Sequence, residues 1–136
     1  MLFRSTPYQD RPLKAPALLE GDTEYYEACG QDQLLVKHCN DCGKFYHYPR
    51  PLCPMCFSDK TEFRKAKGTG KIYSFSITRA APIPYAIAFV QLDEGPTMMT
   101  NIVDCDLDSI RCDQRVQVTF KPTDDPKIKL PMFRPV

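Results

Sequence analysis

Two cysteine pairs with the same internal spacing constrain this chain more than any other feature. The pairs are Cys39-Asn40-Asp41-Cys42 and Cys53-Pro54-Met55-Cys56, and a spacer of ten residues separates them. A Cys-x-x-Cys turn directs two thiolates at one tetrahedral centre, so two such turns supply the four sulfur ligands of a closed structural zinc site. The short spacer indicates a small ribbon. The pattern therefore predicts a structural zinc ion bound by Cys39, Cys42, Cys53 and Cys56.

Other chemistries use cysteines at similar spacings. An iron ion accepts the same four thiolates and stays an open alternative to zinc, whereas a thioredoxin-like redox pair does not require a second Cys-x-x-Cys turn. A catalytic zinc keeps one coordination position open, and four thiolates leave none for water. Neither His38 nor His47 is needed to complete the ligand set. We therefore expect the metal to hold structure and not to perform chemistry.

The start of the chain disfavours a disulfide framework. Met1-Leu2-Phe3-Arg4 is followed by polar residues and prolines, so the apolar segment of a secretory signal is missing. We expect a reducing, cytoplasmic environment. The other cysteines, Cys29, Cys105 and Cys112, follow no metal spacing, and we interpret them as small apolar residues and not as nucleophiles.

Composition and charge are typical of a globular chain. Of the 136 residues, 43% are hydrophobic and 26% are charged, with a formal net charge of +1. The most apolar stretch, residues 80–92, is interrupted by Pro82 and Pro84 and is too short to cross a bilayer, so we expect no membrane span. Residues 37–71 carry a basic excess and residues 93–113 an acidic one. This asymmetry indicates either two solvated faces or a phosphate-binding basic side.

The first part of the chain, residues 1–33, is predicted to be an extended arm followed by a short helix. The arm contains several prolines, and Asp22 and Thr23 can cap a helix that Gly30 ends. A helix this short is unstable alone, so its aromatic side, with Tyr25 and Tyr26, must pack on the same chain or on a partner. Residues 34–66 contain both cysteine pairs and are predicted to form the zinc ribbon.

Residues 67–136 have the pattern of a small barrel. The alternation of Tyr73, Phe75 and Ile77 with serine and threonine predicts a half-buried strand. Further strands are predicted over residues 85–92, 97–103, 115–120 and 128–133, joined by turns that contain glycine or proline. Five short strands favour a Greek-key barrel over a flat sandwich, because closure removes exposed strand edges. The chain is therefore predicted to be mainly β.

Several short strings, in this order of elements, resemble one known family. The family combines a zinc ribbon with an OB-fold, is associated with acyl-CoA enzymes, and was long described as a domain of unknown function. The strings are His38-Cys39-Asn40-Asp41-Cys42-Gly43, Pro49-Arg50-Pro51-Leu52-Cys53-Pro54-Met55-Cys56, Gly68-Thr69-Gly70-Lys71-Ile72-Tyr73-Ser74-Phe75, Pro84-Tyr85-Ala86-Ile87-Ala88, Asp93-Glu94-Gly95 and Pro131-Met132-Phe133-Arg134-Pro135. The resemblance covers the chain from about Tyr25 to its end and implies a rubredoxin-like ribbon followed by an OB-fold barrel of five strands.

The resemblance implies an accessory subunit and not a stand-alone enzyme. Members of such a family pair with thiolase-like, hydratase or aldolase subunits that act on acyl-CoA thioesters. The residues agree with this expectation, because no paired carboxylates, phosphate loop or Ser-His-Asp pattern emerges from the sequence. We expect the chain to help hold or pass acyl-CoA, and we expect its arm and helix to supply much of the interface with the partner.

An acyl-CoA site needs cations for phosphates and a narrow apolar slot for the pantetheine. The predicted phosphate contacts are Lys65, Lys67, Lys71 and Arg79, and the predicted slot residues are Tyr73, Phe75, Pro84 and Tyr85. The alternative function is binding of single-stranded nucleic acid, which OB-folds also perform. The acidic excess over residues 93–113 disfavours it, because a groove that follows a phosphate backbone needs a basic domain. An independent thioesterase or hydratase ranks last.

Overall fold

The computed structural model describes residues 5–136 as one helix, a three-stranded ribbon and a closed barrel. Helix α1 spans Thr23–Gly30. The ribbon contains β1 (Leu35–Cys39), β2 (Phe45–Tyr46) and β3 (Thr61–Lys65) in the antiparallel order β2-β1-β3. The barrel contains β4 (Thr69–Thr78), β5 (Tyr85–Leu92), β6 (Thr97–Ile102), β7 (Arg115–Pro122) and β8 (Lys129–Pro135). The predicted mainly β fold with a short helix, a ribbon and a five-stranded barrel is confirmed.

The barrel closes in the strand order β4-β5-β6-β8-β7. The last strand makes the closure possible, because β8 pairs antiparallel with β7 and parallel with β6, where Phe133 lies opposite Ile102. Alternate residues of the strands point inward, and Ile72, Val90 and Phe133 are completely buried. Gly70 lets β4 approach β5 closely, since a Cβ atom there would overlap the backbone of Gln91. A single 3-10 turn, Leu107–Ser109, interrupts the connection from β6 to β7.

A β-bulge in β4 changes the face on which one aromatic side chain lies. Ile72 pairs with Val90 and Ser74 pairs with Phe89, so Tyr73 is the extra, unpaired residue. Ile72 points into the barrel, whereas the Tyr73 side chain is 68% exposed. The prediction that Tyr73 shares a buried face with Phe75 and Ile77 is therefore wrong, because the bulge shifts the alternation by one residue.

Helix α1 is buried against its own chain. Tyr25, Tyr26 and Cys29 join one apolar core with residues of β1 and of the barrel. The sequence left open whether the aromatic side of α1 packs on the same chain or on a partner. In the structure it packs on the same chain. Asp22 is the N-cap residue by position, but its side chain makes no capping bond and instead accepts hydrogen bonds from the Leu19 backbone N–H and the Tyr48 hydroxyl.

The arm also lies on the barrel. Thr6 and Tyr8 make backbone hydrogen bonds to the segment after β6, and the Ala15 N–H donates to Asp124 beyond β7. The surfaces of the arm and helix that face the barrel are thus used within the chain and are not available for the expected partner interface. Residues 1–4, on which the expectation about a secretory signal rests, lie outside the described residues. Among the described residues, no helix is long and apolar enough to span a membrane.

Candidate metal centre and ligand cleft

The two cysteine pairs form the same turn twice. In the first turn, the Cys39 N–H donates to the Lys44 carbonyl (3.0 Å) and the Gly43 N–H donates to the Cys39 carbonyl (2.9 Å). In the second turn, the Cys53 N–H donates to the Ser58 carbonyl (2.9 Å) and the Phe57 N–H to the Cys53 carbonyl (2.9 Å). Each turn holds two cysteines at a fixed angle, as a zinc knuckle requires. We call them the first and the second knuckle.

The structure brings the four predicted ligands together. Their Sγ atoms all lie within 4.8 Å of one another, and those of Cys39 and Cys56 are 3.6 Å apart. Tetrahedral zinc with Zn–S bonds of about 2.3 Å separates its sulfur atoms by about 3.8 Å, so the residues fit this metal. The Cys42 N–H donates to Cys39 Sγ, which lowers the pKa of the Cys39 thiol to about 6 and favours the thiolate that a metal binds.

Neither histidine belongs to the sulfur cluster. His38 Nδ1 lies 3.1 Å from the Asn40 side-chain oxygen, and His47 Nε2 lies 2.8 Å from the Tyr25 hydroxyl. A zinc ion bound by the four thiolates would join the β1–β2 hairpin to the loop before β3. It would supply cross-linking and no open coordination site.

A cleft of about 360 Å³ lies where α1, the ribbon and the outer barrel wall meet. Its wall consists of aromatic, aliphatic and methionine side chains, with the Arg11 guanidinium and the Asn101 amide among its polar groups. Arg11 lies 4.2 Å above the Tyr85 ring and donates to the Asn101 side-chain oxygen (3.2 Å). Burial lowers the pKa of His47 to about 4, so the imidazole in this wall is neutral at physiological pH. The cleft thus offers an apolar body with a few fixed polar groups.

The predicted phosphate contacts do not meet in one place. Lys65 and Lys67 border a shallow depression of about 160 Å³ beside Asp32. Lys71 lies 3.9 Å from an Asp113 carboxylate oxygen. Arg79 forms an ion pair with Asp108, roughly 25 Å from Lys71 along the extended strand.

The predicted slot residues are also separated. Tyr73 is largely exposed, Phe75 packs against the barrel core, and Tyr85 lines the cleft. Sequence reasoning assigned no site role to Arg11, and no signal in the sequence marks it, because only tertiary packing places the arm over Tyr85. On the ribbon side of the cleft, the adjacent aromatic residues His47 and Tyr48 are the sequence feature that could have indicated a site.

A ribbon with a four-cysteine cluster followed by a closed five-stranded barrel is the arrangement of proteins that combine a zinc ribbon with an OB-fold. The sequence comparisons place the chain in this class. Residues 27–62 match the family described as "ChsH2, rubredoxin-like zinc ribbon domain", and residues 63–121 match "ChsH2, C-terminal OB-fold domain". The chain belongs to this ChsH2 (DUF35) family. The predicted family resemblance is confirmed, and both the matched ribbon domain and the cysteine cluster support a structural zinc.

Three proteins that resemble this chain are named for acyl-CoA enzymes, aldolases or their subunits. A probable enoyl-CoA hydratase alpha subunit of Thermomonospora curvata is 34% identical over 88% of this chain and 39% of its own length. The benzoylsuccinyl-CoA thiolase subunit BbsA of Geobacter metallireducens is 29% identical over 68% of this chain and 65% of its own. The solved structure named Ltp2-ChsH2(DUF35) aldolase has a TM-score of 0.77 and 33% identity, covering 89% of this chain and 98% of that chain. The chain thus spans about two fifths of the hydratase relative and just under two thirds of the thiolase subunit.

Proposed function

We propose that this chain is an accessory subunit of an acyl-CoA enzyme of the thiolase, aldolase or hydratase type. The names of the three similar proteins support this class of partner, since each names such an enzyme or one of its subunits. The zinc ribbon is structural in this role. The subunit does not turn over acyl-CoA by itself and helps the partner to hold or pass its substrate.

The single observation that carries the acyl-CoA part of the proposal is the cleft at the junction of α1, ribbon and barrel. An acyl-pantetheine segment is a long, mostly apolar chain with amide groups and a thioester, which suits apolar walls with a few fixed polar atoms. Met99, Ile87 and Leu130 supply apolar wall, and Arg11 and Asn101 supply polar groups. Of the predicted basic set, Lys65 and Lys67 are both exposed and border one depression, whereas Lys71 and Arg79 are paired with carboxylates, so we assign the attraction of phosphates to Lys65 and Lys67.

Nucleic-acid binding fits the barrel poorly. OB-folds bind nucleic acid on the face formed by their second and third strands, which are β5 and β6 here. Both strands are fully described, and neither contains lysine or arginine. The strands of this face therefore supply none of the cations that dominate such binding. The arm adds Arg11 there, and its guanidinium is already engaged by the Tyr85 ring and the Asn101 side chain.

Co-purification and reconstitution test the proposal. We expect a tagged chain to recover an acyl-CoA enzyme from its native cell, and we expect thioester turnover to require both proteins when each is assayed alone and together. Steady turnover by the lone, zinc-loaded chain contradicts the accessory role. Recovery of nucleic acid that nuclease removes, with no enzyme subunit, favours the alternative.

The acyl-CoA contact is tested on the reconstituted complex by calorimetry with a non-hydrolysable acyl-CoA analogue. Arg11→Gln probes the cleft, and the joint replacement of Lys65, Lys67 and Lys71 by alanine probes the three lysines of the predicted basic set, leaving Arg79 in its ion pair with Asp108. Lys14→Ala, at an exposed position on the arm, is the matched control. We expect each probe to weaken binding and added salt to imitate the lysine variant, because contacts to phosphate are screened by salt. Unchanged affinity in both would place the ligand on the partner.

A further inference from the structure

The two knuckles differ at one position that their hydrogen bonding makes equivalent. The residue after the second cysteine is Gly43 in the first knuckle and Phe57 in the second, and each donates its N–H to the first cysteine of its turn. Both adopt left-handed backbone, with φ +75° at Gly43 and +64° at Phe57. Glycine adopts this conformation freely, whereas a residue with a Cβ atom does so with steric strain. The second knuckle therefore holds a phenylalanine where the fold favours glycine.

Burial of the ring does not compensate for this strain at Phe57. Its side chain is 76% exposed. Among the large apolar residues that the structure describes as exposed, no other aromatic residue is exposed to this extent. Leu19 and Leu52, which are 65% and 50% exposed, line the same groove beside it. We call these three residues, Leu19, Leu52 and Phe57, the knuckle patch. A folded chain rarely presents apolar side chains together in this way unless another surface covers them.

The groove at the knuckle patch is open, has a volume of about 880 Å³ and is bounded by fixed backbone. The Arg50 carbonyl accepts from the Tyr46 hydroxyl (2.7 Å), and the Pro51 carbonyl accepts from the Thr61 hydroxyl (3.0 Å). The Pro51 ring is so close to Gly21 that a Cβ atom there would lie 2.9 Å from it. The wall of the groove is therefore preorganised, which lowers the entropy lost when a partner binds.

We propose that the knuckle patch is the docking surface for the acyl-CoA enzyme subunit, with Phe57 as the central anchor. This inference rests on the proposed function and adds the location of the contact. An exposed aromatic ring in a rigid apolar groove with a polar rim is the arrangement of an interface hot spot.

Continuity between two sites identifies the occupant. Tyr48 lines both the groove at the knuckle patch and the cleft proposed for acyl-CoA, so a subunit seated on the patch also reaches the cleft. The groove carries one acidic and one basic residue, Glu20 and Arg50, and thus has no charge preference for the phosphates of CoA itself. The three residues of the knuckle patch are each half exposed or more, so a protein surface, and not a small ligand, is the partner that covers them.

Substitutions at position 57 separate docking from folding. The test measures the affinity of the full, zinc-loaded chain for the enzyme subunit recovered by co-purification, using surface plasmon resonance. Phe57→Gly removes the ring and also relieves the backbone strain, so it keeps the zinc and the thermal stability while weakening the complex about 30-fold. Asparagine tolerates left-handed backbone, so Phe57→Asn is expected to fold and to give a similar loss of affinity. Phe57→Tyr keeps the ring and retains affinity within about threefold of the unsubstituted chain.

Four outcomes decide the inference. Loss of affinity in Phe57→Gly with one zinc per chain and rescue by Phe57→Tyr supports it. Full affinity in Phe57→Gly overturns the docking surface and leaves the proposed function intact. A change only in self-association of the lone chain, measured by sedimentation, makes the patch a contact between two copies and also overturns it. An unsubstituted chain that binds no acyl-CoA enzyme overturns both proposals.

Discussion

The ribbon and the barrel are held together by different forces. The ribbon has a small buried cluster of its own, Cys39, Tyr46 and Cys53, and two of these three residues belong to the four-cysteine cluster. The barrel buries a larger apolar set, and its strands close on themselves, so few backbone groups are left at an edge. A single chain therefore relies on metal binding where its core is small and on apolar burial where its core is large.

The ribbon and the barrel also share part of one buried core. Leu34 and Val36 from the start of the ribbon, together with Tyr25 of α1, belong to the same buried cluster as the barrel residues. The part of the ribbon near β1 therefore shares the barrel core, and the knuckles at its far end do not. The predictions below separate the metal, the barrel core and the junction, in order of decreasing effect.

Removal of one zinc ligand should have the largest effect. Cys56→Ser is expected to abolish zinc binding and unfold the knuckles, because structural zinc contributes on the order of 10 kcal/mol to a small site. The barrel is expected to keep its fold. Elemental analysis and two-dimensional NMR check the result, with Cys112→Ser, at an exposed position outside the cluster, as the control. A Cys56→Ser chain that keeps one zinc ion and an ordered ribbon contradicts the metal-based account.

A substitution in the barrel core should destabilise the barrel without removing the metal. Phe133 is completely buried and lies where β8 joins β6 and β7. Phe133→Ala is expected to lower the free energy of unfolding by about 3–5 kcal/mol through lost burial and a cavity. Urea denaturation followed by circular dichroism measures it, since the chain has no tryptophan. Val136→Ala, at an 84% exposed position, is the control, and loss of zinc in Phe133→Ala would show that the ribbon depends on the barrel.

Local patterns in the sequence predicted most of the fold. The cysteine spacing predicted the metal cluster because each knuckle is a local turn, and glycine and proline turns marked the barrel strands. Strand β3 was missed, because Thr61–Lys65 is short and polar and forms only through pairing with β1. The exposed position of Tyr73 was also missed, since a bulge depends on the partner strand and leaves the alternating pattern in the sequence unchanged.

The candidate ligand cleft was harder to predict because it depends on contacts between distant residues. Arg79 was grouped with Lys65, Lys67 and Lys71 as a predicted phosphate contact, yet in the fold its charge is paired with Asp108. Tyr85 was selected from the sequence, whereas Arg11, which lies over its ring, comes from the arm. Neighbours in sequence therefore indicated which residue types a ligand site needs, but not which residues lie together in the fold. The domain limits at residues 34–66 and 67–136 stay predictions.

A buried polar network joins the ribbon to α1, and its loss should have a smaller effect than loss of the metal or of the barrel core. The Tyr48 hydroxyl donates to an oxygen of Asp22 (2.9 Å) and lies 3.3 Å from the Tyr26 hydroxyl. The Asp22 side chain is completely buried, and its other oxygen accepts from the Leu19 N–H. Burial, reinforced by Tyr26 and Asp22, raises the pKa of Tyr48, so the hydroxyl stays protonated and donates.

Tyr48→Phe is expected to lower the free energy of unfolding by about 1–3 kcal/mol, because it leaves a buried oxygen of Asp22 without its donor. Tyr26→Phe is the matched control: its hydroxyl contacts Tyr48 and not Asp22, so the expected loss is smaller, about 1 kcal/mol or less. Urea denaturation of both variants measures the difference, and zinc content should stay unchanged in both. Because Tyr48 lies in the ribbon and Asp22 directly precedes α1, a separate, earlier transition in Tyr48→Phe would show that this bond couples the ribbon to α1. Equal losses in the two variants would contradict that role for the Tyr48–Asp22 bond and would leave the shared apolar core as the connection.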